Sequence, residues 1–438
     1  MSTDLLSYEQ AAALVAAYAH RIGQHPPRTE CLDLARAAGR VLATAIAADD
    51  DQPPFTRSTR DGYACRAADA CAYITLPIAG ATQAGEPPAE PLPEGKAWEI
   101  MTGAPVPAGA DCVVMLEHVE KFGNAIRLSA PRTMNAGDNI VAKGAQARRG
   151  DEQLPAGMRL GAAQIALAAS CGYPHLDVYV RPRVAILTTG DELVPVDATP
   201  GPGKIRNSNA PMLAALVASA GAEPIVLPTA ADTAEALDTA LAQALETDML
   251  LISGGVSAGK YDLVEPALTR LGAEFHFTGV RIQPGKPLVF GRIPRHVAHR
   301  KSSRPDSASG QVKLERGLAP ETIPLFGLPG NPISSAATFH LFAAPILDAL
   351  AGCNETHPRF VLANLSRDTD RKTKPGLTRF LPALCEFPSS INELPQVALV
   401  PWQGSGDLTA FARSNCFLVI PEDAGLLTAG STVHILLH

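Results

Sequence analysis

Residues 250–262 read LLISGGVSAGKYD, and this stretch decides how the central part of the chain is interpreted. An apolar run that begins at Met249 stops abruptly at Ser253, Gly254 and Gly255, which predicts a buried parallel strand ending in a glycine turn. Glycines let backbone N–H groups approach a ligand closely, and the start of a following helix attracts an anion. Asp262 stands just before that predicted helix. This order is typical of a ligand site at the carboxyl ends of strands in an open α/β sheet.

Residues 254–261 resemble a nucleotide-binding P-loop but lack its final hydroxyl group. A P-loop carries Ser or Thr after its lysine because that hydroxyl holds Mg²⁺, whereas Tyr261 follows Lys260 here. The pattern therefore disfavours a P-loop NTPase.

The sequence on both sides of this stretch alternates between strand and helix patterns. Strands are predicted at 184–187, 223–227, 249–253, 274–278, 288–291 and 323–327, and helices at 210–220, 233–245, 263–271 and 332–350. The alternation predicts a doubly wound, mostly parallel sheet with helices on both faces. Residues 292–321 are basic, rich in serine and poor in apolar side chains, so we expect a mobile surface insertion within a hairpin.

The flanking regions follow other patterns. Helices are predicted at 7–22, with Ser7 as N-cap, and at 30–42 and 160–170, whereas short strands between Gly and Pro turns fill 73–149 and 359–438. The predicted fold class is therefore multidomain α/β. We expect a discontinuous helical domain (1–48 and 150–181), an inserted β-rich domain (49–149), a central α/β domain (182–354) and a C-terminal small β-barrel or sandwich (355–438).

Composition limits the class of protein. The chain has 438 residues, of which 46% are hydrophobic and 18% charged, as in globular proteins. Its net charge of −7 argues against general nucleic-acid binding. The 8 cysteines include no CxxC pair, which favours reduced thiols over a zinc site or disulfide framework. We find no signal-peptide pattern and no uninterrupted apolar run long enough to cross a bilayer, so we expect a cytoplasmic protein without membrane or nucleic-acid partners.

Polar clusters fall where the predicted central strands end. They lie at 188–192, 206–209, 231–232, 253–255 with Asp262, 284–287 and 327–332. Glu192, Asp232 and Asp262 together predict oxygen ligands for a hard cation such as Mg²⁺, and Lys286 with glycine-loop amides would neutralise phosphates. Each of these residues taken alone also has a purely structural interpretation, because an acidic residue can cap a helix and a lysine can be an ordinary surface residue. The histidines show no metal-ligand spacing.

Several motifs together resemble those of one family. TTGDEL, IRNSN, ISGGVSAGKYD, QPGKP and GLPGNP occur in this order, preceded by PPF…RDGYA and MTGAPVPAGADCVVMLE and followed by QGSG…NCFLVI. The chain resembles, over nearly its whole length, the molybdopterin molybdenumtransferases of the MoeA type, also found as the E domain of gephyrin. These proteins act in the last step of molybdenum cofactor synthesis.

The resemblance implies a Mg²⁺-assisted transferase reaction. Adenylylated molybdopterin and molybdate would bind as substrates, the metal oxyanion would be placed on the dithiolene, and AMP would be released. It also implies a homodimer, with the active site between the central domain of one subunit and the β-rich insertion of the other. Other molybdenum-cofactor enzymes are then possible partners.

The positions that match the family's functional residues supply the expected site. The expected metal ligands are Glu192 and Asp262. The expected catalytic residues are Asp61 in RDGYA, Thr102 in MTGAP, Asp232, Lys286 in PGKP and Ser405 in QGSG. The expected substrate-binding residues are Thr189, Gly190, Asn207, Ser208, Ser253, Gly254, Gly255, Pro329, Gly330 and Asn331.

Four positions depart from the family pattern and keep alternatives open. Val141, Gln283 and Pro382 stand where a basic residue is usual, and Gln146 stands where a carboxylate is usual. One alternative is a molybdopterin-binding scaffold or chaperone without turnover; another is a tungsten-handling variant, because tungstate and molybdate are nearly equal in size and charge. A molybdopterin adenylyltransferase is disfavoured because it needs only the α/β domain. As a further hypothesis, Arg60, Lys143 and Arg281 replace the missing charges.

Overall fold

The computed structural model describes residues 5–71, 73–87, 90–230, 233–255, 263–295, 322–369 and 376–438. The chain begins with α1 (Tyr8–Gly23), β1 (Thr29–Asp33), α2 (Leu34–Ala37) and β2 (Ile46–Ala47). Ser7 caps α1 as predicted: its Oγ accepts from the Gln10 N–H at 3.2 Å, and Gln10 Oε1 accepts from the Ser7 N–H at 2.9 Å. This reciprocal capping box satisfies donors that a helix start otherwise leaves unpaired.

The helix predicted at 30–42 is wrong. Residues Thr29–Asp33 form β1, and only the short α2 follows, capped by Asp33. β1 pairs antiparallel with a distant strand, His175–Tyr179. A partner so far along the chain overrides the local helical preference, because propensity is a weak term beside tertiary pairing.

The inserted region is β-rich, as expected. It contains β3 (Arg57–Ser58), β4 (Gly62–Cys65), β5 (Thr75–Thr82), β6 (Ala97–Ile100), β7 (Cys112–Met115), β8 (Val119–Phe122), β9 (Ala125–Leu128) and β10 (Ile140–Val141). One sheet has the order β7-β4-β6-β5-β9-β8, and β3 pairs with β10. This region is called the inserted unit below.

The chain then returns to its first segment through β11 (Glu152–Leu154), α3 (Ala162–Ser170) and β12 (His175–Tyr179). β11 pairs with β2, and β12 pairs with β1. Buried side chains from both segments, such as Leu42, Leu160 and Val178, form a common small core. The discontinuity of this region therefore agrees with the sequence interpretation, while the domain limits stay a prediction.

The central region alternates strands and helices. It comprises β13 (Arg183–Thr188), β14 (Leu193–Val194), β15 (Ile205–Arg206), α4 (Asn209–Ser219), β16 (Glu223–Val226), α5 (Ala234–Ala244), β17 (Met249–Ser253), α6 (Val264–Arg270), β18 (Glu274–Phe277), β19 (Ile282–Gln283), β20 (Val289–Pro294), β21 (Thr322–Leu328), α7 (Pro332–Thr338) and α8 (Ala344–Leu350). The main sheet has the order β16-β13-β17-β21-β20-β18. Pairs from β16 to β21 are parallel, and β20 pairs antiparallel with both β21 and β18. The predicted mostly parallel sheet is thus found.

The helices cover both faces of the central sheet. One core packs α5 and α6 against one face, and the other packs α4, α7 and α8 against the opposite face. α1 belongs to this second core through Ala11, Val15 and Tyr18 and packs on α8. The apolar face of α1 is therefore buried by the central domain, whereas α3 packs in the small core around Leu160, and the expected helical domain of residues 1–48 and 150–181 stays a prediction.

The helical segment Pro332–Leu350 contains a π-helical turn, Phe339–Ala343, between α7 and α8. By length and composition this helix resembles a membrane span, although polar residues interrupt its apolar sequence, and 83% of its apolar window is buried within the protein. Burial of this kind is what the core helix of a globular domain requires.

The C-terminal region consists of β22 (Phe360–Leu365), β23 (Thr378–Glu386), β24 (Gln396–Leu399), α9 (Leu408–Ala412), β25 (Cys416–Ile420) and β26 (Thr432–Leu437). The order β23-β24-β22-β26-β25 closes through a further pairing of β23 with β25. This closure makes a barrel, one of the two expected forms. β19 of the central region also pairs with β23, so the barrel is joined directly to the central domain.

Candidate active site at the carboxyl edge of the central sheet

Strands β13, β17 and β21 are neighbours in the main sheet, and their carboxyl ends lie side by side. Thr188 of β13 pairs with Ser253 of β17, which pairs with Leu328 of β21. The predicted residues Thr189 and Pro329 directly follow these strands, and the Thr189 N–H donates to the Ser253 carbonyl at 3.1 Å. The carboxyl edge therefore brings together TTGDEL, ISGG and GLPGNP, as the parallel order requires.

Gly254 occupies a position that requires glycine. Its φ is +92°, and a Cβ atom here would lie 2.5 Å from the Thr189 carbonyl oxygen. A Cβ atom on Gly330 would lie 3.8 Å from the Gly254 Cα. The backbone at Gly254 thus lies close to the backbones at Thr189 and Gly330. Gly255 and Gly330 are exposed at the carboxyl edge of the sheet.

Asn207 anchors helix α4. Its Nδ2 donates to Thr188 Oγ1 at 2.8 Å and to Thr229 Oγ1 at 3.1 Å, and its Oδ1 accepts from the Ala210 N–H at 3.1 Å. Ser208, the expected binding residue beside it, is the N-cap residue and makes no capping bond with its side chain. The polar atoms of the Asn207 side chain are therefore engaged within the protein, whereas the Ser208 hydroxyl is not used for capping.

Glu192 and Thr189 place oxygen atoms at the GDEL turn. A Cβ atom on Gly190, whose φ is +138°, would lie 2.5 Å from Glu192 Oε2, so the carboxylate lies over this glycine. Thr189 Oγ1 is buried and has no hydrogen-bond partner in the part of the chain that the structure describes. The turn leads into β14 and not into a helix, so the alternative that Asp191 or Glu192 caps a helix is wrong.

The donor set at this turn fits a cation that is shared with a substrate. Carboxylate and hydroxyl oxygens suit Mg²⁺, which usually binds through one or two carboxylates together with substrate phosphates. Within the described ranges, no group of three or more His, Cys, Asp or Glu side chains could form a metal site from protein alone. Asp232 and Asp262, the other expected carboxylates, lie outside the described residues. The cap of α5 is Thr233.

A cavity of about 370 Å³ lies next to the GLPGNP loop, between the central domain and the barrel. It is lined by Ile282, Gln283, Pro284, Gly285, Lys286, Pro287, Pro329, Asn331, Ser334, Trp402, Gly404 and Ser405. The expected residues Lys286, Asn331 and Ser405 thus meet at one place. Lys286 is the charged residue in this lining, so the cavity combines a cation with hydroxyl and amide groups.

Backbone bonds hold the cavity in shape. The Ser405 carbonyl accepts from the Ile333 N–H at 3.1 Å, in the first turn of α7. The Lys286 carbonyl accepts from the N–H groups of Val280 and Leu288, each at 3.1 Å. Asp407 caps α9, and backbone N–H groups of Ala410 and Gln403 hold its pKa below the usual range. The loops that present Lys286 and Ser405 are therefore fixed by their own backbones.

Asp61 and Thr102 form a pair in the inserted unit. Asp61 Oδ1 accepts from the Thr102 N–H at 2.6 Å and from the Thr102 hydroxyl at 2.8 Å. The backbone bond and then the hydroxyl bond lower the pKa of Asp61, which keeps the carboxylate ionised. Both residues are exposed, and the Asp61 carbonyl accepts from Leu116, also in the inserted unit. The pair is thus organised locally, apart from the sheet edge.

Residues that we did not select also belong to the site. Asn209 donates to Ser253 and Gly330, and Ser334 and Trp402 line the cavity. Asn209 is the last residue of the IRNSN motif and of the polar cluster at 206–209. Trp402 immediately precedes the QGSG motif. Its position next to this motif was the sequence signal that could have identified it as a site residue.

The altered family positions have distinct environments. Gln283 lines the cavity, and its Oε1 is buried without a protein partner. Pro382 is buried in β23 opposite Phe417. Val141 is paired with Arg57 in the inserted unit, and Gln146 is exposed.

Two of the cations expected to compensate already face carboxylates. Lys143 lies 3.6 Å from Asp51, and Arg281 lies 3.8 Å from Glu422. These contacts do not favour the compensation hypothesis for either residue.

Family models match most of the chain. Residues 6–172 match the MoeA N-terminal region (domains I and II), residues 185–349 match a probable molybdopterin binding domain, and residues 365–438 match the MoeA C-terminal region (domain IV). The chain is 34% identical to the molybdopterin molybdenumtransferase of Nostoc sp. (strain PCC 7120), covering 93% of this chain and 88% of the relative. It is 32% identical to the protein of the same name from Haemophilus influenzae, covering 94% of each.

A solved structure has the same fold. The molybdopterin biosynthesis MoeA protein from Pyrococcus horikoshii OT3 superposes with a TM-score of 0.73 at 28% identity, covering 99% of this chain and 100% of that chain. The predicted fold class is confirmed by this match. The chain therefore belongs to the MoeA family of molybdopterin molybdenumtransferases, as its motifs from RDGYA to QGSG indicated.

Proposed function

We propose that this protein inserts molybdenum from molybdate into adenylylated molybdopterin and releases AMP. The observation that carries the proposal is the cavity in which Lys286, Asn331 and Ser405 meet, directly beside the glycine loops of the sheet edge. Two adjoining compartments of different chemistry suit two substrates, a small oxyanion and a larger phosphate-bearing pterin. The two relatives compared above are named molybdopterin molybdenumtransferases.

The cavity suits the oxyanion. Molybdate is a dianion with four oxygen acceptors, and Lys286 supplies a positive charge while Ser405 and Ser334 supply hydroxyl donors. Charge-assisted hydrogen bonds of this kind are stronger than neutral ones. We assign Lys286 and Ser405 to holding molybdate while its metal is transferred.

The glycine loops suit the pterin substrate. Gly255 and Gly330 have no side chain and are exposed at the carboxyl edge, beside the exposed Asn331. Such backbone concavities bind anions through N–H groups. We assign the loop residues to the adenylylated pterin, with its reactive end directed towards the cavity.

Mg²⁺ is part of this proposal. Glu192, whose carboxylate lies over Gly190 at the exposed turn, would hold the ion together with Asp262 and the substrate phosphates. When bound, the ion would polarise the phosphoanhydride as a Lewis acid. Asp232 keeps its expected catalytic role in the proposal.

The proposal includes a homodimer with a composite site. The Asp61–Thr102 pair is exposed and is surrounded by exposed apolar side chains, with Met101 at 39% and Leu116 at 44%. Apolar groups around an ionised carboxylate favour a surface that a partner covers. The inserted unit of one copy would thus bring Asp61 and Thr102 to the cavity of the other. We also propose a cytoplasmic location and delivery of the product to enzymes that use it.

The direct test is to titrate the purified protein with adenylylated molybdopterin, Mg²⁺ and molybdate while AMP release is measured. We expect AMP release only when molybdate is present, and Mg²⁺ should be required as well. AMP release that ignores molybdate would contradict the transfer reaction. Repeating the titration with tungstate determines which oxyanion the cavity prefers.

A binding scaffold without turnover is the second candidate. It is favoured by Gln283, a neutral residue in the cavity, and by Pro382, which is buried and carries no charge. Tight binding of adenylylated molybdopterin without AMP release under all conditions would support it.

A further inference from the structure

Asn209 joins two loops of the proposed pterin compartment. Its Nδ2 donates to Ser253 Oγ at 2.8 Å and to the Gly330 carbonyl at 2.7 Å. A carbonyl oxygen can only accept a hydrogen bond, so the nitrogen and not the oxygen of the amide must face Gly330. The orientation of this side chain is thereby fixed by chemistry.

The loops that Asn209 joins have few other links at this point. Ser253 Oγ donates to the Pro329 carbonyl at 3.4 Å, and the Gly254 N–H donates to the Leu328 carbonyl at the same distance. Both distances are longer than usual for hydrogen bonds. The shorter bonds from Asn209 are therefore the stronger described links between the ISGG and GLPGNP loops beyond the strand pairing of β17 with β21.

The position of Asn209 suits this role because it stands at the start of α4. Asn207 bonds to Thr188 of β13 and to the Ala210 N–H in the first turn of α4. The start of the helix, including Asn209, is therefore fixed relative to β13. Its Oδ1 is buried and has no hydrogen-bond partner among the described residues. A purely packing role would be served better by an apolar side chain, since an unpaired buried acceptor is costly.

We propose that Asn209 is a positioning residue for the phosphate-bearing pterin substrate. It holds the two glycine loops at the separation at which their backbones bind that substrate. This inference rests on the proposed function. It concerns the pterin compartment; the molybdate cavity shares Pro329 and Asn331 of the same loop but takes Lys286 and Ser405 from other loops.

The two substrates allow positioning to be distinguished from general structural support. Loss of a positioning residue weakens binding of the pterin substrate, while the KM for molybdate stays within about twofold, because Lys286 and Ser405 are held by separate backbone bonds. A general loss of structure would weaken both substrates together and would also lower the melting temperature.

The test compares Asn209→Ala, Asn209→Asp and Ser253→Ala with the wild-type protein. Adenylylated molybdopterin is titrated calorimetrically without molybdate, and the KM for molybdate is measured separately. We expect Asn209→Ala to weaken pterin binding by about tenfold to a hundredfold, and Asn209→Asp to weaken it further through charge repulsion. Ser253→Ala removes one of the two links, so its effect should be smaller and should not add to that of Asn209→Ala. The exposed Asn392→Ala is the matched control and should bind as wild type.

The outcomes separate the inference from the proposed function. Equal pterin affinities of Asn209→Ala and wild type would overturn the role of Asn209, as would a parallel loss for molybdate. A wild-type protein that binds the pterin nucleotide without releasing AMP would contradict the transfer but would leave the binding comparison valid. A wild-type protein that binds no pterin nucleotide would overturn both.

Discussion

The two regions that carry the proposed chemistry are built in opposite ways. The Asp61–Thr102 pair is made by short bonds inside the inserted unit, whereas the cavity around Lys286 needs loops from the central domain and from the barrel. A locally built pair keeps its geometry wherever the unit lies. A cavity between domains exists only while β19 stays paired with β23 and α7 stays bonded to Ser405. The cavity is therefore the part that depends on the whole fold.

The largest effect is expected for Lys286→Ala. This substitution removes the charged side chain among the described residues that line the cavity. Removing a group that stabilises charge in an active site commonly costs about 100-fold to 1,000-fold in rate. We expect kcat/KM for molybdate to fall by that amount in the AMP-release assay. The exposed Lys96→Ala is the matched control, and equal losses for both variants would show that the cavity does not act through its lysine.

Gly254→Ala should cause the next largest effect, on stability. An added Cβ atom would meet the Thr189 carbonyl at 2.5 Å with φ at +92°, so we expect a loss of about 2–4 kcal/mol in the free energy of unfolding. Gly85→Ala has a similar φ of +90° but nothing within 4 Å, and should lose about 1 kcal/mol. Urea denaturation measures the free energy of unfolding of both variants. Equal losses would refute the close approach of the Gly254 and Thr189 backbones.

The contact between the central domain and the barrel, where His340 meets His438, should lose stability as the pH falls. Burial lowers the pKa of His340 to about 4, helped by the neighbouring His438, whose pKa burial also lowers to about 4. An unfolded histidine titrates near pH 6.5, so the unfolded chain binds more protons between these values. The stability contributed by neutral His340 is complete above about pH 6.5 and is lost as the pH falls towards about 4.

We expect His340 to lower the free energy of unfolding by about 2 kcal/mol between pH 7.5 and pH 5. In His340→Leu the free energy of unfolding should vary less between pH 7.5 and pH 5 than in the wild type. The exposed His20→Leu variant should keep the full pH dependence. An unchanged pH dependence in His340→Leu would refute the role of this histidine.

The smallest effect is expected in the inserted unit. Thr102→Val removes the hydroxyl bond to Asp61 and keeps the backbone bond, so the pair is weakened but not lost. We expect a decrease in AMP release of about tenfold with an unchanged melting temperature. Thr75→Val, at an exposed position of the same unit, serves as control. Full activity of Thr102→Val would show that the hydroxyl is not needed.

Local signals in the sequence predicted much of this fold. The strand 249–253 has the predicted bounds, and Ser7 and Thr233 stand at the starts of their helices. These features depend on neighbours within a few residues, so pattern and capping rules suffice. The closure of the barrel and the strand at 29–33 depend on distant partners, and the helix predicted at 30–42 failed for that reason.

The site was predictable in its motifs but not in its contacts. Lys286 and Ser405 were selected from separate motifs, and the structure brings them into one cavity. The role of Asn209 was missed because its bond to Gly330 spans 121 residues. Trp402 was missed because only the folded barrel shows that it faces the central domain. The roles of Asp232 and Asp262 stay predictions, since both lie outside the described residues.

The most direct test of the central claim is complementation between two inactive variants. Differently tagged Asp61→Asn and Lys286→Ala chains are co-expressed, the mixed dimer is isolated, and molybdate-dependent AMP release is measured. In a composite site one of the two sites of each mixed dimer is intact, so we predict recovery of about half the wild-type activity, since a C₂ dimer has two equivalent sites. A mixed dimer as inactive as its parents, beside an active wild type, would contradict a site shared between two copies.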